Sequence, residues 1–441
     1  MNQMSERSLR ALPDGVRRRL GVLSLAVCGL ALLFCSVAAA DNGLLYPDGA
    51  GVIPDTRGAI AAVRLHYEPN VDEELQPFYQ DLFAELPSDT AVTVLCPDQE
   101  SAGRFLASWG SSVSIGGRDL TVINVGGDLT LWARDRYLAR QWGNLSLPAT
   151  AYIPLPDPYY DIPQLNELAV QMELAVVSTE PLVDEAPFFF EGGNIVSNGH
   201  QVFVGMNVLA ENAPKYRGLT PGALRTIAGR PLIFVRDAND DVPWCHVDMY
   251  MTPIGEDAVL VADVARGEAL SDEAAALVDA ECEAERSPVV TSEYVQQQLD
   301  DVARLMARSG YRVYRVPAIV DPFGDWMVTY NNVLMEERGG QRIVYLPMYR
   351  MPELDIEAAL IYRRLGFEVK YIDVSELYLW GGALRCMVNV TQRRDVVARP
   401  DPPTLRRVGS IAYFDLVEPF DPIESAEPLC DEELIVPATP R

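Results

Sequence analysis

The chain has 441 residues, 49% of them hydrophobic and 22% charged, which is ordinary globular composition and excludes wholesale disorder. Its 36 Lys and Arg stand against 63 Asp and Glu, for a formal charge of −27. Such a surface repels nucleic acid and anionic membrane and favours cationic ligands.

The N-terminus reads as a targeting segment. Arg17, Arg18 and Arg19 precede an apolar run, 20–40, that ends in Ala38, Ala39 and Ala40. A charged stretch, an apolar stretch and small residues are the order of a secretory signal, with cleavage expected before Asp41. The run is also long enough to span a bilayer, so an uncleaved anchor is the alternative. The expected layout is a signal peptide or anchor over 1–40, a catalytic domain over 41–398 and a Pro-rich acidic tail over 399–441. The protein is expected to be exported, and to meet a membrane only if the segment stays uncleaved.

From Asp41 the pattern alternates. Helical spacing is expected at 72–86, where Leu75, Phe78, Leu82 and Phe83 share a face, and at 99–109. Further helices are expected at 167–177, 221–228 with Thr220 as cap, 271–285, 293–309 and 356–365. Short apolar or alternating runs predict strands at 91–96, 120–125, 202–208, 232–235, 258–262, 311–316, 343–346 and 368–374. Strands alternating with helices throughout point to an α/β fold.

Beyond residue 40 there are five cysteines: Cys96, Cys245, Cys282, Cys386 and Cys430. An odd number in an exported protein leaves one thiol unpaired, and no C-x-x-C spacing suggests structural zinc.

Four separated stretches carry chemistry. Trp132-Ala133-Arg134-Asp135 follows a strand, and Asp there is ordinarily a turn former. In Phe188-Phe189-Phe190-Glu191-Gly192-Gly193-Asn194 a carboxylate sits beside aromatic walls, which raises its pKa. His246-Val247-Asp248 holds one of only three His in the chain, and on a strand residues i and i+2 share a face. Finally, Cys386 follows Arg385 and two glycines, Gly381 and Gly382. A neighbouring cation lowers a thiol's pKa. Read singly, each stretch has a structural explanation. Together, a Cys, a His, two Asp and a Glu are the parts needed to attack a guanidinium carbon. Two carboxylates hold the planar cation by paired charge-assisted hydrogen bonds, a thiolate attacks, and an imidazole moves the proton.

W-x-R-D at 132–135, F-E-G-G-N at 190–194, H-x-D at 246–248 and G-G-x-x-x-C at 381–386, in this order, resemble the agmatine deiminase and bacterial peptidyl-arginine deiminase family. This family lies within the guanidine-modifying pentein superfamily. Thr329-Tyr330-Asn331-Asn332 adds to the likeness. The resemblance implies a pentein-type five-bladed α/β propeller of ββαβ modules. It implies Cys386 as nucleophile, His246 as general acid and base, Asp135 and Asp248 on the guanidinium, and Glu191 in support. Trp132, Asn194 and Arg385 would complete the substrate site. It implies no metal and no organic cofactor. Agmatine deiminases carry His where Arg385 stands, whereas arginine deiminases carry Arg there. Their upstream carboxylate-binding Arg is replaced here by Leu379-Trp380-Gly381.

The expected substrate is therefore peptidyl-arginine first, agmatine or a similar small guanidine second, and free arginine third. Arg385 would be open to a carboxylate. Amide hydrolysis, amidine transfer and a silent binding scaffold are the alternatives. Cys245 is expected to pair with Cys282, and Cys96 with Cys430.

Overall fold

The structure, a computed structural model, describes residues 51–110, 118–127, 129–141, 150–155, 183–216, 220–235, 246–270, 291–321 and 326–394. In chain order the elements begin with β1 (Gly51–Val52), β2 (Ala59–His66), α1 (Asp72–Glu85), β3 (Ala91–Cys96), α2 (Gln99–Trp109), β4 (Leu120–Asn124), β5 (Leu138–Gln141), β6 (Thr150–Ile153) and β7 (Val183–Glu185). Next come β8 (Ile195–Ser197), β9 (Val202–Gly205), α3 (Asn207–Tyr216), α4 (Thr220–Ala228), β10 (Leu232–Val235), α5 (Val247–Tyr250), β11 (Met251–Pro253), β12 (Ala258–Asp263), α6 (Val264–Leu270) and α7 (Ser292–Arg308). The last are β13 (Arg312–Val320), β14 (Met327–Thr329), β15 (Leu334–Arg338), β16 (Gln341–Met348), α8 (Pro352–Arg364), β17 (Phe367–Asp373), α9 (Leu384–Met387) and β18 (Asn389–Arg394).

Local chemistry explains the helices. α1 opens on Asp72, Glu73 and Glu74, which suit the positive end of the helix dipole, and buries Leu75, Phe78, Tyr79, Leu82 and Phe83. The side chain of Asp98 accepts from Ser101 N (2.7 Å) and caps α2. Thr291 does the same for α7 through Tyr294 N (3.2 Å). α7 buries Val295, Leu299, Val302 and Met306, each worth about 1.5–3 kcal/mol before the entropy cost of ordering.

The described strands form five separate sheets: β1-β5-β6-β7, β10-β9-β8, β11-β12-β13-β14, β15-β16-β17 and β18-β2-β3-β4. One unit recurs. An antiparallel pair is followed by a helical crossover to a parallel strand, as in β8-β9 then β10, β11-β12 then β13, and β15-β16 then β17. Sheets built this way are covered by helices, so their strands read as apolar runs. The largest core joins β2, β3, β15 and β16 to α1 and α8; a second lies between α7 and the β11–β14 sheet, and Cys386 touches it. The fold is α/β, as the alternation of patterns predicts.

Several expectations change. Residues 207–216 form α3, so the strand expected over 202–208 stops at Gly205. His246 and Asp248 share no strand. His246 is the residue before the short helix α5, and Asp248 lies inside it, so a helical turn brings them together. Cys96 is a buried free thiol among the described residues, at the end of β3 and packed in the main core, and its expected disulfide partner falls outside them. Cys245, Cys282 and Cys430 lie outside the described residues, as do the segments 1–40, 167–177, 271–285 and 399–441.

No helix among the described residues is long and apolar enough to cross a membrane.

Candidate active site

Three of the four motifs, far apart in sequence, meet at the backbone of Gly193, and Cys386 of the fourth joins them through a hydrogen bond with His246. The Gly193 N–H donates to Asp135 Oδ1 (2.8 Å). A Cβ on Gly193 would stand 2.5 Å from His246 Nδ1 and 3.2 Å from Asp248 Oδ1, so only glycine lets both side chains close on this point. His246 Nδ1 lies 3.9 Å from Asp135 Oδ1, and its Nε2 lies 2.9 Å from Glu191 Oε2.

Separate elements hold each part. Asp135 ends a 3-10 turn, Ala133–Asp135. That turn is tied to β18 by Asn389 Nδ2, which donates to Ala133 O (3.1 Å), and to β8 by Arg134 Nη2, which donates to Ile195 O (2.9 Å). The turn carrying His246 and Asp248 is fastened to β14, where Thr329 Oγ1 donates to Met249 O (2.6 Å). Cys386 lies in α9. Asn332 Oδ1 accepts from Arg385 N (2.6 Å) and Cys386 N (3.2 Å), while Asn332 Nδ2 donates to Cys386 Sγ (3.2 Å). Gly381 takes a positive φ of 82° and the next residue, Gly382, packs directly on the Trp132 indole, so the two glycines serve as the spacing suggests.

The electrostatics reverse two expectations and add a third feature. Glu191 is not the raised carboxyl. Burial pushes it up, but His246 at hydrogen-bond distance wins and holds it below the usual range. Asp135 is the raised one, at about 6, because burial outweighs the pull of His246 and Glu191 adds to the rise. The Cys386 thiol is raised, chiefly by burial and then by Asp248, while a hydrogen bond with His246 pulls it down. The Arg385 guanidinium is bonded to carboxylates instead.

That guanidinium donates through Nη1 to Asp248 Oδ2 and through Nη2 to Asp55 Oδ1 (2.9 Å) and Ile195 O (3.3 Å). Arg385 is 4% exposed. It is therefore engaged inside the protein and not held open for a substrate carboxylate. Asn194 is fully buried, with its side-chain oxygen against Gly205. Trp132 is half-buried and packs beside Gly382.

Two residues that the motif reading missed matter here. Asn332 holds Cys386, and its only signal was the Tyr330-Asn331-Asn332 run. Asp55 had no signal, since it lies in a plain loop after β1. Among the described residues, no group of three or more His, Cys, Asp or Glu side chains is placed to hold a metal ion. The cluster provides a thiol with an imidazole beside it and carboxylates in front, the requirements of nucleophilic attack on a planar cation.

Comparison with known proteins places this fold. The α/β fold is similar to that of Campylobacter jejuni agmatine deiminase, with a TM-score of 0.54 and 17% identity over 81% of this chain and 100% of that one. It is also similar to agmatine deiminase of Enterococcus faecalis, with a TM-score of 0.53 and 13% identity over 78% of this chain and 96% of that one. No curated protein matches the sequence. The family model of Porphyromonas-type peptidyl-arginine deiminase matches residues 65–392, a stretch that contains all four motifs and most of the chain. The chain thus belongs to the Porphyromonas-type peptidyl-arginine deiminase family, hydrolases that act on carbon–nitrogen bonds of linear amidines.

Proposed function

We propose that this chain is an exported guanidine deiminase that converts an arginine-type guanidinium to a ureido product and ammonia through a thiouronium on Cys386. The observation that carries the reading is Asp248. It is 1% exposed, one of its oxygens is held by Arg385, and Oδ1 meets no hydrogen-bond donor while facing Gly193 beside His246. A buried carboxylate oxygen in that position suits a guanidinium N–H.

In this reading Asp135 and Asp248 fix the guanidinium. His246 takes the Cys386 proton, and the thiolate forms a bond to the guanidinium carbon. The carbon–nitrogen bond breaks, and ammonia leaves with a proton from His246. Water, deprotonated by His246, then attacks the thiouronium carbon. The carbon–sulfur bond breaks, Cys386 recovers its proton and the ureido product departs. Glu191 keeps the imidazole oriented and favours its cationic form through the 2.9 Å contact.

The resting thiol is protonated, so a cationic substrate assists its own attack by stabilising the thiolate. Export rests on Arg17–Arg19 and the apolar run over 20–40. It favours peptidyl-arginine over intracellular agmatine, and the acidic surface favours Arg-rich chains. With Arg385 turned inward, an internal arginine fits better than a C-terminal one. We read the five sheets and their recurring ββαβ unit as the five blades of a propeller whose central mouth is this site.

A parallel assay for ureido product tests the function on agmatine, free arginine, an internal-Arg peptide and a C-terminal-Arg peptide. The internal-Arg peptide is expected to give the highest kcat/KM. Turnover of agmatine alone would overturn the substrate order. A competently folded protein silent on all four would overturn the deiminase reading.

A further inference from the structure

Asp55 lies ten residues before the stretch that the family model matches, yet it reaches the heart of the site. Its backbone N–H donates to Ser197 O (2.7 Å), and its Oδ2 accepts from Ser197 N (2.8 Å), which locks it to β8. Its Oδ1 accepts from Arg385 Nε (3.2 Å) and Nη2 (2.9 Å). The same guanidinium holds Asp248 Oδ2, so Arg385 bridges a buried carboxylate and a partly buried one.

A permanent cation directly behind a site for cations needs an explanation. Arg385 and Asp248 alone sum to zero charge, which leaves nothing in that pair to attract a guanidinium. Arg134 and Arg393 make matters worse, since both add positive potential here. Arg134 donates to Ile195 O and Asn389 Oδ1, and Arg393 to backbone oxygens of Asp55, Arg57 and Gly58, so neither has a bonded carboxylate among these contacts.

We infer that Asp55 is the counter-charge that leaves Asp248 able to receive a cationic substrate, acting through Arg385. Asp55, Arg385 and Asp248 together carry one net negative charge. Arg385 takes Oδ2 of Asp248 and so presents Oδ1 alone to the ligand. Asp55 is a specificity residue that never touches the substrate. The family-matched stretch is thus electrostatically incomplete without the segment before β2. The inference rests on the guanidine reading above, but its test needs no turnover, so the two fail separately.

The test compares two alkylating reagents at Cys386 in the full chain, with adduct measured by peptide mass. One is a cationic haloacetamidine, the other neutral iodoacetamide. In both, Sγ bonds to the reagent carbon and halide leaves with the thiol proton. Asp55→Asn is expected to lower the ratio of cationic to neutral rate by at least about tenfold, the scale of one charge-assisted contact. Asp55→Glu, which keeps the charge, is expected to retain most of it. A cooperatively melting Asp55→Asn protein with an unchanged ratio would overturn the inference. A double variant, Asp55→Asn with Arg385→Gln, restores the single negative charge. Its ratio is expected within about threefold of the unmodified protein. A ratio at least tenfold lower would overturn the charge account even where the single variant does not fold.

Discussion

Cys96 and Cys386 are both buried free thiols, and burial pushes both up. At the end of β3, Cys96 has Asp98 nearby, which adds to the rise, and the thiol reaches about 12. Cys386 is buried as deeply, but Asn332 donates to its sulfur and His246 pulls it down. The difference lies in what surrounds each thiol, since burial alone would make either one inert. Nor does the preceding residue decide: Arg385, next to Cys386 in sequence, spends its charge on two carboxylates.

The comparison breaks most sharply at the thiols themselves. Cys386→Ser is expected to lower kcat/KM on a competent guanidine by at least about a thousandfold. Intact mass after acid quench should then show no thiouronium adduct, whereas the unmodified protein shows one. Full activity in this variant removes the mechanism.

Glu191→Gln removes the partner of His246 Nε2. A loss of about a hundredfold in kcat is expected, with KM changed little, because the imidazole loses both orientation and proton affinity. A variant with only KM raised would move Glu191 from proton transfer to substrate binding.

The pH profile sharpens the electrostatic side. Asp135 grips a guanidinium only as carboxylate, and it keeps its proton up to about 6. Below that value kcat/KM should fall about tenfold per pH unit. The sign for stability is opposite. A raised folded-state value favours the ligand-free fold below 3.8, and that contribution is lost as pH rises through about 6. Thermal melts across this window should show the loss from Asp135, with guanidine ligand reducing it. A ligand-free profile that rises by the same amount as the liganded one would contradict the assignment.

Asn332→Ala deletes the donor to Sγ and the acceptor for two N–H groups of α9. Alkylation of Cys386 by iodoacetamide is expected to slow about tenfold. The smallest effect lies at the other thiol. Cys96→Ala should leave kcat/KM within about twofold and cost about 1 kcal/mol in denaturant melts. Equal sensitivity of the two thiols to iodoacetamide would erase the distinction between the two environments.

Much of this was present in the chain as letters. The stripe Leu75, Phe78, Leu82 and Phe83 reads as α1, and the apolar runs at 91–96 and 258–262 read as buried strands, because periodicity is set by backbone geometry over a few residues. The residue types proposed as nucleophile, base and carboxylates were legible too, since guanidine chemistry restricts what can serve. Only the tertiary structure decided their states and partners. Glu191, expected to be the raised carboxyl, is held down by its contact with His246, and the rise falls instead to the more deeply buried Asp135. Arg385 turned from the thiol toward Asp55, a residue 330 positions away with no sequence mark. Charge pairing and desolvation depend on separations of a few ångströms through space, and sequence distance carries no measure of those.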